Sequence, residues 1–507
     1  AVRDDGAAVW EAARNARITA TTVKPPIEDF LPLTPRMTVE LELAGRMQPL
    51  AGDTFESAAA GITPGSAGLA ARSGERLRVL FPGVMLATST SPEEGLRSVV
   101  AGLDILVGAE AISRGKLELA GIRQKHDLSV YRFQTTHLAQ HAPRLGPVFL
   151  RRGGRVVTER IRSDLLRSTA DGIAAHLLTH DWPATEEPRG MTGPYLPWLD
   201  EYRPFEATPF QQALTSWALQ RYASTPGVDP QTAAAAKRFA ASLLAELLIP
   251  LADEPDPLAS PVDAAMLLVA ASATDEPVLG RTVRMDAIAS LRACAEDDGA
   301  FGKLRPVERS IVALALARCA EASDDGLRDL AARRVSELFL RTERGELVSL
   351  MPWLGWAQME LVGADDPIPA AIALRDMRET TWQFQLTAED AGLEDADLAG
   401  GVVFTRGRTP LPTWNTLRPV AFIATMLGDE RLTSVDERAD ELLRLLSSLR
   451  FLVQLTIRES ETWFCVEGDL AVGGVRAAPW DATLPLEANC LGLLTLCETL
   501  ESARRLR

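Results

Sequence analysis

The sequence predicts a mainly α-helical protein in two parts, a smaller α+β domain followed by a ring of paired helices. Three observations lead there. The chain has 507 residues, more than one ordinary hydrophobic core holds. Strand-like alternation is confined to its N-terminal part, whereas beyond Phe210 apolar residues recur at i, i+3, i+4 and i+7. Near the C-terminus two stretches repeat each other at an offset of 73 residues.

The first part is read as residues 1–182. A short helix is expected over 8–17. Residues 37–43 alternate, with Val39, Leu41 and Leu43 on one face and Thr38, Glu40 and Glu42 on the other, which predicts a half-buried strand. A second strand is expected over 77–86, ended by Pro82-Gly83. Ser91-Pro92-Glu93-Glu94 opens a helix, with serine as cap, proline in the first turn and acids at the positive end of the dipole. A third strand covers 128–135. Strands over 148–150 and 155–157 flank a Gly153-Gly154 turn, and a helix over 164–179 closes the domain.

Residues 183–209 read as a linker, because Pro183, Pro188, Pro194, Pro197, Pro204 and Pro209 break helix and sheet alike. Its Tyr195, Trp198 and Tyr202 predict that it packs against something. The remainder, 210–507, shows helical patterns over 211–223, 232–248, 261–273, 285–295, 307–321, 326–340 and 439–455, among others.

In the repeat, Gln385-Leu386-Thr387 ends one helix and Gln454-Leu455-Thr456 another. Each is followed by a near copy, Asp397-Leu398-Ala399-Gly400-Gly401-Val402 and Asp469-Leu470-Ala471-Val472-Gly473-Gly474-Val475, then by Pro412 or Pro485 and an apolar helix. The unit is helix, long loop, helix. Each pair needs neighbours to bury its apolar face, and six pairs can close a ring. The glycine pair lets the loop turn sharply against the next pair.

Helix, Gly-Gly loop and apolar helix together resemble the repeat of the prenyltransferase and squalene-cyclase superfamily, the α/α toroid. The likeness covers roughly 345–505 by motif and 210–345 by helical texture, and departs from the family at Val402 and Val475, where an aromatic follows the glycines. In the first part, Ile62-Thr63-Pro64-Gly65-Ser66-Ala67-Gly68-Leu69, Leu80-Phe81-Pro82-Gly83-Val84 and Ser91-Pro92-Glu93-Glu94 are similar to the second half of AMMECR-type domains. That family's Arg-Gly-Cys-Ile-Gly stretch is absent here.

Charge narrows the partners. The net charge is −16, and residues 1–200 carry 23 charges of each sign, so all the excess acid lies beyond them. An acidic surface repels phosphate backbones, so nucleic acid is not an expected partner. No apolar run reaches the ~18 residues of a membrane helix. Cys294, Cys319, Cys465, Cys490 and Cys497 are odd in number and scattered, with no CxxC, which predicts buried free thiols. Free thiols and the lack of a leader point to the cytoplasm, while the start at Ala1 leaves a removed leader open.

The catalytic sets that the resemblance implies are missing. There is no Asp-x-Asp-Asp acid, and Asp297-Asp298, Asp324-Asp325 and Asp365-Asp366 read as turn or cap residues. All five histidines, His126, His137, His141, His176 and His180, precede the linker, so no histidine-held zinc is expected in the ring and no cofactor is expected. His137/His141 and His176/His180 have the i, i+4 spacing of metal ligands but lack the glutamate of HExxH, and are read as structural.

A working site is expected at the ring's mouth, formed by the long loops and inner-helix ends. The first copy offers Glu389, Asp390, Asp397, Arg406, Arg408, Trp414, Asn415 and Arg418. The second offers Glu461, Trp463, Asp469, Arg476, Trp480, Asp481, Glu487 and Asn489, with Trp353, Trp356 and Trp382 nearby. The ligand-binding set is Trp414, Arg418, Glu461, Trp463, Arg476, Trp480, Asp481 and Glu487. Tryptophan beside carboxylates and arginine suits a sugar, yet Asp397 and Asp469 recur in both copies and are read as braces of the glycine turn. The expectation is a toroid binding or scaffold protein taking a small-molecule, glycan or protein partner. Its alternatives are a glycan-active hydrolase or lyase using a carboxylate pair, and a divergent terpenoid cyclase or prenyltransferase-like enzyme. The residues leave open whether the chain is an enzyme.

Overall fold

The computed structural model describes residues 40–105, 112–113, 116–140, 146–182, 190–247, 260–274, 281–320, 325–404 and 411–506. The helix expected over 8–17, Val39, His141, Asp324, Arg406 and Arg408 lie outside them. The chain is mainly helical, with its larger sheet in the N-terminal unit. It divides into two compact units, Ala1–Val156 and Val157–Arg507.

The first unit is built on an antiparallel sheet around one long strand. Its strands are β1 Glu40–Ala44, β2 Gln48–Pro49, β3 Ala67–Ser73, β4 Arg76–Leu80, β7 Leu128–Ala139, β8 Val148–Arg151 and β9 Gly154–Arg155; a separate short ladder joins β5 Ile112–Ser113 to β6 Lys116–Leu117. β7 pairs with β3 along Leu128–Gln134 and with β1 along Thr135–Ala139. Helices α1 Phe55–Ala59 and α3 Pro92–Ala101 pack together and α3 lies on β3, around Phe55, Leu69, Leu96, Val100, Leu119 and Val130. As expected, Ser91 caps α3: its hydroxyl accepts from the Glu94 amide and the Glu94 carboxylate accepts from the Ser91 amide. Helix α4 Leu119–His126 leads into β7.

Two sequence expectations are corrected in this unit. The strand placed over 77–86 is the end of β4 followed by helix α2 Pro82–Ala87. Proline at the first helical position starts that helix, since its missing N–H has no helical acceptor there anyway. Strand β3 was not expected: Ala67 to Ala71 are buried without a break, so neither alternation nor β-branching marks them.

The second unit carries the remaining helices: α5 Ser163–Leu178, α6 Pro209–Ala223, α7 Pro230–Glu246, α8 Pro261–Ala271, α9 Arg281–Glu296, α10 Asp298–Lys303, α11 Pro306–Cys319, α12 Asp325–Arg341, α13 Trp353–Glu360, α14 Ala371–Gln383, α15 Ala388–Ala391, α16 Leu417–Leu427, α17 Arg438–Leu455, α18 Gly468–Ala471 and α19 Leu486–Arg505. Helix α5, assigned above to residues 1–182, belongs to this unit and packs on α19 and α7. Residues 190–209 of the proline-rich tract are likewise part of it. Strands β10 Tyr195–Leu196 and β11 Glu201–Tyr202 form a hairpin there, and the fully buried Tyr195 donates to Asp200 (2.7 Å) and bridges to Leu484.

Helix starts follow local chemistry. Thr208, Asp229 and Ser260 each accept a hydrogen bond from the third helical amide, and Pro209, Pro230 and Pro261 occupy the first position. Apolar periodicity alone begins α6 and α7 two residues late because these prolines and caps precede the periodic residues.

Among the described residues, two kinds of helix alternate. α8 and α11 are buried almost all round, from Ala264 to Ala270 and from Ser310 to Ala317. α9 and α12 bury one stripe only, as with Ala287, Leu291 and Ala295 in α9, and α17 does so until its last turn, where Phe451 to Leu455 are all buried. α6 packs on α8, α8 on α11, α11 on α13, α16 on α19 and α19 on α6. α13 meets α16 where the Phe422 ring lies against Gly355, leaving no room for a β-carbon, and where the Trp356 indole N–H donates to Thr425 (3.0 Å). Helices α7, α9, α12 and α17 pack outside α6, α8, α11 and α16 in turn.

Candidate functional site

The two loop copies have one backbone design. Leu386 and the Gly400-Gly401 pair exchange hydrogen bonds of 2.7 and 2.8 Å, and Ile457 does so with Gly473-Gly474 at 2.9 Å each. Gln385 therefore corresponds to Thr456 and not to Gln454, two residues off the match seen in sequence. The Val402 and Val475 amides donate to Thr416 (3.0 Å) and Asn489 (2.7 Å), 73 residues apart. Gly400 and Gly473 have φ of 90° and 85°. A β-carbon on Gly400 would meet the Ser447 carbonyl of α17 at 1.9 Å, and one on Gly473 the Gly172 carbonyl of α5 at 2.1 Å. Each glycine thus seats its loop against another helix pair.

Of the residues expected to bind a ligand, Arg476 and Glu461 are sunk in the second loop. Arg476 is 2% exposed and donates to the carbonyls of Gln454 (2.9 Å), Leu455 (3.4 Å) and Pro479 (3.1 Å). Burial pulls its pKa down, against the pull of Glu461 and Asp397. Glu461 is buried against Arg458. Asp397 is fully buried and acts on both Arg476 and Arg450, whereas Asp469 is exposed. The reading of both aspartates as turn braces therefore fails for Asp469, whose carboxylate has been left in solvent. Asp481 accepts from the Thr483 amide (3.0 Å) within its own turn. Trp463 meets Phe464 edge-on at 5.4 Å, and Trp480 packs on the core. Trp382 donates to Glu441 (2.7 Å). Glu389 and Asp390 lie in α15, whose Thr387 cap accepts from the Asp390 amide.

A smaller group gathers at the N-terminal ends of helices. Glu487 of α19 accepts from Gln211 of α6 (3.0 Å). The Arg418 guanidinium lies 5.1 Å from the Trp414 ring centre, and its Nε has no hydrogen-bond partner. Burial lowers its pKa, Glu487 opposes this and Arg305 adds to it. Structure thus links Trp414, Arg418 and Glu487, and the Trp414 amide ties them to the second loop by donating to the Ala477 carbonyl (3.0 Å). Asn415 bonds to Thr413 beside them, while Asn489 holds its loop.

His176 and His180 are fully enclosed, with rings edge-to-face at 5.0 Å and Nε2 atoms 3.4 Å apart. His176 Nδ1–H donates to the Leu470 carbonyl (2.8 Å), and His180 Nδ1 lies within hydrogen-bond reach of the Thr192 carbonyl (3.2 Å) and hydroxyl (3.3 Å). Burial drives their pKa values down to about 4 and about 3. Among the described residues no group of three or more His, Cys, Asp or Glu side chains could hold a metal ion. In the first unit His137 contacts Glu40 at 2.5 Å.

A pocket of about 540 Å³ opens elsewhere, on side chains running from the middle of helices to their C-terminal ends. α6 contributes Trp217, Gln220 and Arg221; α13 contributes Trp356, Met359 and Glu360; α19 contributes Glu498 and Arg505. Arg318 of α11, Thr425 of α16 and Ser272, just past α8, complete the wall with Ser224 and Ala273. Trp217 and Trp356 meet edge-to-face at 5.1 Å, and the Arg318 guanidinium covers the Trp217 ring at 4.8 Å. A hydrogen-bond chain runs from the Trp356 indole to Thr425, on to Glu498 (3.2 Å), which also accepts from Arg221 (2.7 Å). Burial works against the Arg221 charge, but Glu498 outweighs it and holds the pKa above the ordinary arginine value. Arg318 pairs with Glu360 at 2.8 Å. Gln220 is 6% exposed, and its Oε1 has no partner.

Of these residues the sequence reading named only Trp356. A signal was present: charges interrupt apolar runs at Arg318 and Glu360, in the last turns of α11 and α13, and at Glu498 in the second half of α19.

The chain matches no protein-family model, no curated protein and no solved structure.

Proposed function

We propose that residues 157–507 form an α/α toroid of the prenyltransferase and squalene-cyclase type that serves as a binding protein for a small polar molecule. The cycle of packing from α6 through α8, α11, α13, α16 and α19 back to α6 supports a closed ring, and the outer helices support the pairing. One observation carries the binding reading: five helices and the turn after α8 send side chains into a single pocket of about 540 Å³, within the usual range of small-molecule sites. The catalytic sets of the superfamily are absent from the sequence, and the residues most placed for chemistry in the loops are committed to bracing them.

Nine of the thirteen lining residues are polar or charged. That weighs against the isoprenoid alternative, which needs an apolar, aromatic cavity. The glycan-active alternative draws support from Glu360 and Glu498 sharing the pocket with two tryptophans. A thermal-shift screen of the full chain against polyols, saccharides, isoprenyl diphosphates and divalent metals, with product analysis of every mixture, separates these readings. The binding protein gains a few degrees with a polar ligand at ~100 times its Kd and yields no product. Product from a saccharide selects the glycan-active enzyme. No shift with any compound overturns the small-molecule reading.

A further inference from the structure

We infer that the pocket's ligand is a neutral polyhydroxylated molecule of mono- to disaccharide size; the inference rests on the pocket being the binding site. Charge balance argues first. Arg221 is matched by Glu498, Arg318 by Glu360, and the rim residue Arg505 by Glu501 at 3.2 Å. Each carboxylate of the wall is matched by an arginine, so neither an anion nor a cation meets an unmatched opposite charge. The polar groups argue second. The Gln220 carbonyl is a buried acceptor awaiting a donor, since its amide N–H is already committed to Ser216 (3.0 Å). A hydroxyl supplies that proton and accepts from guanidinium N–H groups with its own lone pairs, which a purely accepting phosphate or carboxylate cannot do. Shape argues third: the Trp356 indole, held in place by its hydrogen bond to Thr425, and Met359 provide apolar wall for the C–H face of a sugar ring.

The test is calorimetric titration of the full chain with a panel of neutral mono- and disaccharides, glucose 6-phosphate and choline. Trp356→Phe and Gln220→Leu are titrated in parallel after circular dichroism and melting show them folded. The expected result is saturable binding of a neutral saccharide, weakened about tenfold by either substitution, with the phosphate and choline no tighter. Tighter glucose 6-phosphate or choline that is sensitive to Trp356→Phe overturns the neutral class and leaves the pocket standing. No neutral saccharide binding at 50-fold excess over about 1 mM overturns the inference. Binding indifferent to both substitutions places the site elsewhere and overturns the pocket as well.

Discussion

The two ends of the paired helices in residues 157–507 use the same residue types for opposite purposes. At the loop end, Arg476, Glu461 and Asp397 are sunk in the structure, and Arg476 spends its donors on three backbone carbonyls. At the other end, Arg221, Arg318, Glu360 and Glu498 pair with one another along a pocket wall and leave room between them. Tryptophan, arginine and carboxylate in one neighbourhood are therefore not enough to mark a site. What separates brace from site is whether the hydrogen bonds end on backbone or face a space.

The glycine turns should give the largest effect. Gly473→Ala and Gly400→Ala each force a β-carbon into a carbonyl at positive φ, so each should cost at least about 3 kcal/mol in urea unfolding, or abolish folding. Equal losses would support the two loops as equivalent; a silent Gly400→Ala would break that equivalence.

Next comes acidity. His176 and His180 are neutral in the folded chain, with pKa values near 4 and 3, but titrate near 6.5 when unfolded. The unfolded state therefore binds more protons below pH 6.5. Stability from this pair is complete above that pH and is lost as pH falls toward 4, by roughly 1 kcal/mol per pH unit for each ring. Unfolding free energies at pH 7.5 and 5.0 should diverge less in a His176→Gln/His180→Gln variant than in the parent. An unchanged pH slope would show that the pair is not held neutral.

The smallest effect belongs to the pocket. Trp356→Phe removes one indole hydrogen bond and should cost only about 1 kcal/mol. A loss several times larger would mean that the Trp356–Thr425 contact is a structural brace like those at the loops.

Much of this fold was legible because it is written in local chemistry. The Ser91 capping box, the α3 helix, the helical texture and the glycine turns each follow from residues close in sequence. Strand β3 was hidden because five consecutive buried residues carry no period, and α2 because its proline looked like a strand terminator. The site was less legible. The repeat drew attention to the loops, where the motif residues are, and the motif proved to encode the turn. The pocket residues come from five helices and a turn between Trp217 and Arg505 and share no motif, so only their convergence reveals them.

In the proposed function the loop end is the brace and the helix C-terminal end is the site. Urea unfolding of Arg476→Met beside Arg318→Met tests it most directly. Arg476→Met takes the donor from three buried backbone carbonyls and a cation from beside Glu461 and Asp397, and should cost about 3–5 kcal/mol. Arg318→Met breaks a partly exposed pair and should cost no more than about 1 kcal/mol. The reverse order, or equal losses, would contradict the account.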